Sequence, residues 1–157
     1  MSIKKDLVLG SIGQDMVKKV LEKHGFIVKT KIGKFTEYDL EVSHQFLGTK
    51  TIEVKYEAYA VRSKKFAFEY WNPKLEKPSG ILATESDVWC HVYPNVGIFS
   101  IKTTALKTLI HEVRPLKIIE RWVDKNSSMM IYTVDSIKDR FSLLEDMTFE
   151  EILGMLT

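Results

Sequence analysis

Asp39, Glu53 and Lys55 carry the chemistry that this sequence could perform. They fall in 35-FTEYDLEV-42 and 50-KTIEVKYE-57, where charged and apolar residues alternate strictly. Alternation with period two marks half-buried β-strands, whose side chains point to opposite faces in turn. With the turn centred on Phe46, Asp39 opposes Glu53 and Glu37 opposes Lys55. Opposed residues on paired strands have Cβ atoms about 5 Å apart. One face would then hold Glu37, Asp39, Glu41, Thr51, Glu53, Lys55 and Glu57, and the other Tyr38, Leu40, Val42, Ile52, Val54 and Tyr56, facing the core.

Two readings of the charged face stand side by side. A solvated sheet face produces the same alternation, with Lys55 in a cross-strand ion pair to Glu37 that contributes little at a surface. Against it, opposed like charges such as Asp39 and Glu53 destabilise a strand pair. A divalent cation between them would remove the repulsion, and one or two carboxylates plus water suit Mg²⁺. Lys55 could then hold or deprotonate a water beside the metal, or offset phosphate charge. On this reading, removing either carboxylate relieves repulsion, and the metal-free protein should lose little stability or gain some.

The elements that must position these residues can be read along the chain. Ile3, Leu7, Val8, Ile12, Met16, Val17, Val20 and Leu21 recur at helical spacing up to Gly25. FIVKTKI (26–32), the two charged stretches and KFAFEYW (65–71) read as four strands, with SHQFLGT as a turn and NPKLEKPSG (72–80) as a loop. Thr84 is placed to cap a short turn or helix through TESDVW. WCHVY, GIFSI, IIERWV and MMIYTV read as later strands, TTALKTLIHEV (103–113) as a helix ended by Pro115, and Thr148 with Glu151 as a capping box. This order predicts an α/β or α+β fold with a mixed central sheet.

The 157 residues suit one domain with a real core. The net charge of +2 is uninformative as a whole, but residues 1–65 carry thirteen Lys/Arg against eight Asp/Glu, and the rest ten against thirteen. A basic first part can favour a polyanionic partner, and chance accounts for it equally. The single cysteine, Cys90, excludes a disulfide framework or Cys-based zinc site within one chain. MSIKKDLVLG has no long apolar run and no stretch approaches a membrane span, so a cytoplasmic protein is expected.

Asp39, a gap, then Glu53-Val54-Lys55 on the next strand, after an amphipathic helix, resembles the PD-(D/E)XK nuclease superfamily over roughly residues 6–100. The resemblance implies a restriction-endonuclease-like core: a mixed central β-sheet flanked by helices, in one domain over residues 1–157. It implies Mg²⁺ or Mn²⁺ held by Asp39, Glu53 and the Val54 carbonyl, with Lys55 assisting the attacking water. The activity implied is a DNA endonuclease leaving 5′-phosphate and 3′-hydroxyl ends. GSIGQDMVKKVLEKHGF is similar to the first helix of Holliday-junction-resolvase-like members, which implies branched DNA as a substrate and a homodimer that cuts two strands. Gln14 stands where many members have a supporting Glu. FAFEYWNPKLEKPSGILATESDVW is similar to virus- and phage-encoded members, which would place the protein in a host cytoplasm. It offers Glu69 as a metal-supporting residue and leaves Ser79, Gly80 and Asp87 without a role. Tyr38 replaces the motif's Pro.

Lys29, Lys31 and Lys34 precede the Asp39 strand, and Arg62, Lys64 and Lys65 follow the Lys55 strand. Lys31, Lys34, Arg62, Lys64 and Lys65 are candidates to grip phosphates on either side of a scissile bond. Tyr59, Phe66, Tyr70 and Trp71 could stack on bases, though core packing is the stronger reading of Phe66 and an equal one of Trp71. The four histidines show no metal-ligand spacing. The competing function is a non-catalytic nucleic-acid-binding or assembly protein with the same fold, and RNA is an alternative substrate.

Overall fold

The apolar repeat near the N-terminus forms helix α1, Ile3–Lys23. It closes where Gly25 takes a left-handed backbone (φ 89°) and the Phe26 N–H donates back to the Leu21 carbonyl. The structure is a computed structural model that describes residues 3–31, 38–57, 64–121 and 127–157, with side chains from Val8 onward. Lys34, Glu37, Tyr59 and Arg62 therefore lie outside the described residues.

The strands are β1 (Ile27–Thr30), β2 (Leu40–His44), β3 (Gly48–Tyr56), β4 (Lys65–Asn72), β5 (Lys77–Pro78), β6 (Val88–Tyr93), β7 (Gly97–Lys102), β8 (Lys117–Ile119), β9 (Ser128–Thr133) and β10 (Ser142–Leu143). Helix α2 spans Thr103–Glu112, α3 Val134–Ile137 and α4 Phe149–Leu156. The expected capping box is present: the Thr148 hydroxyl accepts from the Glu151 N–H, and the Glu151 carboxylate accepts from the Thr148 N–H.

The fold is α/β, with a mixed six-stranded sheet in the order β1-β2-β3-β6-β7-β10. Its pairs are antiparallel except β3 with β6, which run parallel. A parallel pair needs a crossover. Here the crossover contains β4, which leaves the first sheet and joins a second, antiparallel one in the order β5-β4-β9-β8. One core lies on the face of the first sheet covered by α1 and α4, with Val17, Leu21, Leu40, Val42, Ile52, Val54, Cys90 and Ile152. The other lies between the two sheets and α2, with Phe66, Phe68, Trp89, Ile101, Leu106 and Tyr132. Phe66 and Phe68 are fully buried there, each worth about 1.5–3 kcal/mol of transfer from water.

Several sequence expectations change in detail. The hairpin register stands, Leu40 facing Ile52 and His44 facing Gly48, but β2 extends to His44 and shortens the turn. Tyr38 does not join the core face: its hydroxyl donates to Glu41 Oε1 at 2.7 Å, a stronger claim on a phenol than partial burial. Thr84 caps no helix. The short 3₁₀ turn is Gly80–Leu82, and Thr84 Oγ1 instead accepts from the Ser86 N–H. The loop 72–80 contains β5, and Val134 begins a helix rather than ending a strand.

Candidate active site

Alternation along β3 sends Ile52 and Val54 into the core beneath α1. Glu53 and Lys55 therefore point to the opposite side, where Trp89 and His91 are their parallel-register neighbours on β6. That side is covered by the second sheet. The charged face is thus the edge of an aromatic core, not an open sheet surface, and the Glu53 side chain is only 14% exposed. Lys55 Nζ lies 3.1 Å from Glu53 Oε1 and 5.8 Å from the centroid of the Trp89 ring.

Asp39 sits just before β2. Its N–H donates to the Ile52 carbonyl, and its Oδ2 accepts from the Val54 N–H at 2.8 Å. The Asp39 carboxylate thus continues the bonding of β3 past the end of the ladder and is held beside Glu53 by the backbone between Glu53 and Lys55. Burial raises the Glu53 pKa; Lys55 opposes this and the charges of Asp39 and Glu69 reinforce it. For Lys55, desolvation works against the ammonium but is outweighed by Glu53, Asp39 and Glu69, so its pKa is raised. Glu69, on β4, is therefore close enough to act on both.

The structure brings Asp39, Glu53, Lys55 and Glu69 into one electrostatic neighbourhood. Gln14 lies on α1 beside Gly13, where an added Cβ would lie 3.3 Å from Tyr56 and 3.5 Å from Val54, and it is half-buried. Lys31 is not a free phosphate contact: its Nζ pairs with Glu41 Oε1 at 3.0 Å and sits 5.8 Å from the Tyr38 ring centroid. Hydrogen bonds from Tyr38 and Lys31 lower the Glu41 pKa. Lys55 pairs with Glu53, while Glu37, its cross-strand partner on the solvated-face reading, lies outside the described residues. Glu57, expected on the same acidic face, accepts from His91 Nε2 at 2.7 Å. Lys65 begins β4, and Lys64 just before it is exposed in a left-handed conformation (φ 50°). Asp87 is structural: its Oδ2 accepts from the Thr51 N–H and hydroxyl, and its own N–H donates to Thr51. Burial pushes the Cys90 thiol up to about 12, which leaves it inert.

Comparison with known proteins bears on this arrangement through its scaffold. The chain is similar in structure to a bacterial homing endonuclease, I-Ssp6803I, with a TM-score of 0.50 over 81% of this chain and 72% of that one. At 12% identity the likeness is one of fold. No family model and no curated protein matches the chain.

Whether the site fits a divalent cation can be tested on its oxygens. Among the described residues, Asp39 Oδ1 and Glu53 Oε2 take no protein hydrogen bond, while the other oxygen of each is engaged. No group of three or more His, Cys, Asp or Glu side chains close enough to hold a metal occurs among the described residues. Two carboxylates with free oxygens still fit Mg²⁺, which keeps several waters and takes few protein ligands.

The Asp39 bond changes one expectation drawn from charge repulsion alone. Asp39→Ala removes the acceptor of the Val54 N–H and is expected to destabilise the metal-free protein by about 1–3 kcal/mol. Asp39→Asn keeps an acceptor oxygen, loses the charge beside Glu53, and should stay near wild type. Urea unfolding in chelator reads the difference. Equal losses in the two variants would show that the bond to Val54 contributes nothing.

Proposed function

We propose that this chain is a metal-dependent DNA endonuclease of the PD-(D/E)XK type. The observation that carries this reading is the pairing of Glu53 with Lys55 on a largely buried face, beside an Asp39 carboxylate fixed by the Val54 N–H. The fold likeness to a homing endonuclease supports it. Asp39, Glu53 and the Val54 carbonyl would hold Mg²⁺ or Mn²⁺, with Glu69 and Gln14 in support. Such an ion supplies Lewis-acid stabilisation of the charge that develops on a phosphodiester under attack by water.

The protein's own groups do the rest. Glu53 orients the Lys55 ammonium, and Lys55 can hold a water at the carboxylate edge or donate toward phosphate oxygens. Lys64 and Lys65 are offered as phosphate contacts, and Lys34 and Arg62, outside the described residues, are assigned the same role from the sequence. Branched DNA as substrate, a homodimer that cuts two strands, and 5′-phosphate products complete the reading. The absence of a three-carboxylate cluster among the described residues, with Gln14 in place of Glu, favours the second reading, a nucleic-acid-binding protein without catalysis.

Cleavage of plasmid and four-way-junction DNA with Mg²⁺ or Mn²⁺, abolished by chelator, tests the proposal. The same ions should raise the melting temperature of the wild type and not of Asp39→Asn. A ligand that binds only the native state adds about 2.7 kcal/mol at 100 times its Kd. Equal shifts in both proteins, or cleavage that persists in chelator, would sink the metal assignment.

A further inference from the structure

Behind Lys55 lies a buried polar chain that the proposed reaction does not use. Trp89 and His91 are each 1% exposed, on the face of β6 that meets the second sheet. Trp89 Nε1 and His91 Nδ1 are 3.2 Å apart, and His91 Nε2 and Glu57 Oε2 are 2.7 Å apart. An indole N–H can only donate. His91 Nδ1 must therefore accept, which puts the imidazole proton on Nε2, where it is donated to Glu57. Glu57 Oε2 also accepts the Ala67 N–H of β4 at 3.1 Å. Edge-on contacts from Phe66 and Phe68, at 4.8 and 5.2 Å between centroids, hold the imidazole plane. The chain thus runs from the backbone of β4 through Glu57 and His91 to the indole ring, and the Lys55 ammonium rests over that ring.

We propose that His91 and Glu57 are positioning residues that hold Lys55 in place through the indole of Trp89. A lysine has a flexible four-carbon stem and a compact charge. Two contacts restrain it here, the Glu53 carboxylate and the Trp89 face. The orientation of that face is set by the single donor of the indole, and hence by the tautomer that Glu57 imposes on His91. Neither His91 nor Glu57 pairs with Lys55 itself. The catalytic part of this inference rests on the reading of Lys55 as a residue of the reaction; the positioning part does not.

The test uses full-length protein without metal or DNA, then the same variants in cleavage. Protons above an aromatic face resonate upfield, so the Lys55 ε-methylene signals report its place over Trp89. His91→Phe keeps a ring against Phe66 and Phe68 but removes both hydrogen bonds. Glu57→Gln keeps the shape and weakens the hold on the tautomer. Both should move the Lys55 ε-methylene and Trp89 indole N–H signals toward exposed values. Single-turnover cleavage should fall about 10–100-fold, as expected for a small misplacement, with DNA affinity unchanged. Should His91→Phe fail to fold, Glu57→Gln decides alone. Lys55 signals unmoved in a folded variant would overturn the proposal, and moved signals with wild-type cleavage would overturn its catalytic part. A wild type that cuts no DNA removes the nuclease reading, while the Lys55 signals still decide whether this chain of bonds holds the lysine.

Discussion

Lys55→Ala is expected to lower single-turnover cleavage by about 10²–10⁴-fold, the usual range for removing a general acid–base group, with DNA affinity little changed. The Lys55 side chain is 41% exposed, but its ammonium is engaged by Glu53 and the Trp89 ring, whereas Lys64 is exposed on the surface. Its loss also removes the charge that opposes the effect of burial on Glu53. The Glu53 carboxyl then keeps its proton to higher pH and competes with the ion, so the comparison belongs at saturating Mg²⁺. Lys64→Ala and Lys65→Ala should do the reverse: weaker binding, a log affinity against log salt slope smaller by about 0.7–0.9, and nearly normal cleavage at saturating protein. Lys55→Arg keeps the charge but cannot readily give up a proton. Near-normal cutting by that variant would assign Lys55 to charge stabilisation. A Lys55→Ala that loses affinity alone would make it one more phosphate contact and favour the non-catalytic protein.

Gly80→Ala should be the most damaging small substitution for stability. Gly80 has φ 50°, and a Cβ there would lie 2.1 Å from the Glu69 carbonyl oxygen and 2.8 Å from its carbon. Those are backbone atoms of β4 and cannot rotate away. The 3₁₀ turn must lift, straining the bond from the Ser79 N–H to the Tyr70 carbonyl. A left-handed backbone for a non-glycine residue costs about 1–2 kcal/mol, and overpacking about 1–3 more, so a loss of about 2–5 kcal/mol is expected. Gly48→Ala is the control: φ is 74°, yet nothing lies within 4 Å of the added carbon. It should show the backbone cost alone. Equal unfolding free energies for the two variants would mean that the approach of Gly80 to Glu69 does not constrain the fold.

Gly80 also shows why part of the molecule was legible in the sequence and part was not. The β2–β3 register followed from alternation and a short turn, because both act within a few residues. The capping box at Thr148 and the stop at Gly25 were legible for the same reason. The second sheet was not. KFAFEYW announces a strand, but its partner β9 lies about sixty residues on, and no local pattern names it. His91 was hidden by context: in VWCHVY every residue is buried, so period two disappears and a lone histidine offers no face to assign. Tyr38 failed because alternation assumes a regular strand, and β2 begins only at Leu40. Asp39, Glu53 and Lys55 were legible as a group, yet the Trp89 ring beneath Lys55 lies on β6 and could not be read from the hairpin alone.

The parallel seam between β3 and β6 has a consequence for how this molecule comes to exist. Thr51 and Asp87, which clasp the start of that seam, are 36 residues apart. Bringing the ends of such a segment together costs about 3 kcal/mol of chain entropy beyond a constant, before any contact repays it. The β2–β3 hairpin, by contrast, closes over a few residues. Glu53 and Lys55 can therefore be paired with β2 early, while the floor beneath them arrives only when β6 docks. No partly folded form that lacks the crossover can present the ammonium, the carboxylates and the indole together. A chain emerging during synthesis would carry the acidic hairpin without its working geometry until the residues around position 90 had joined it.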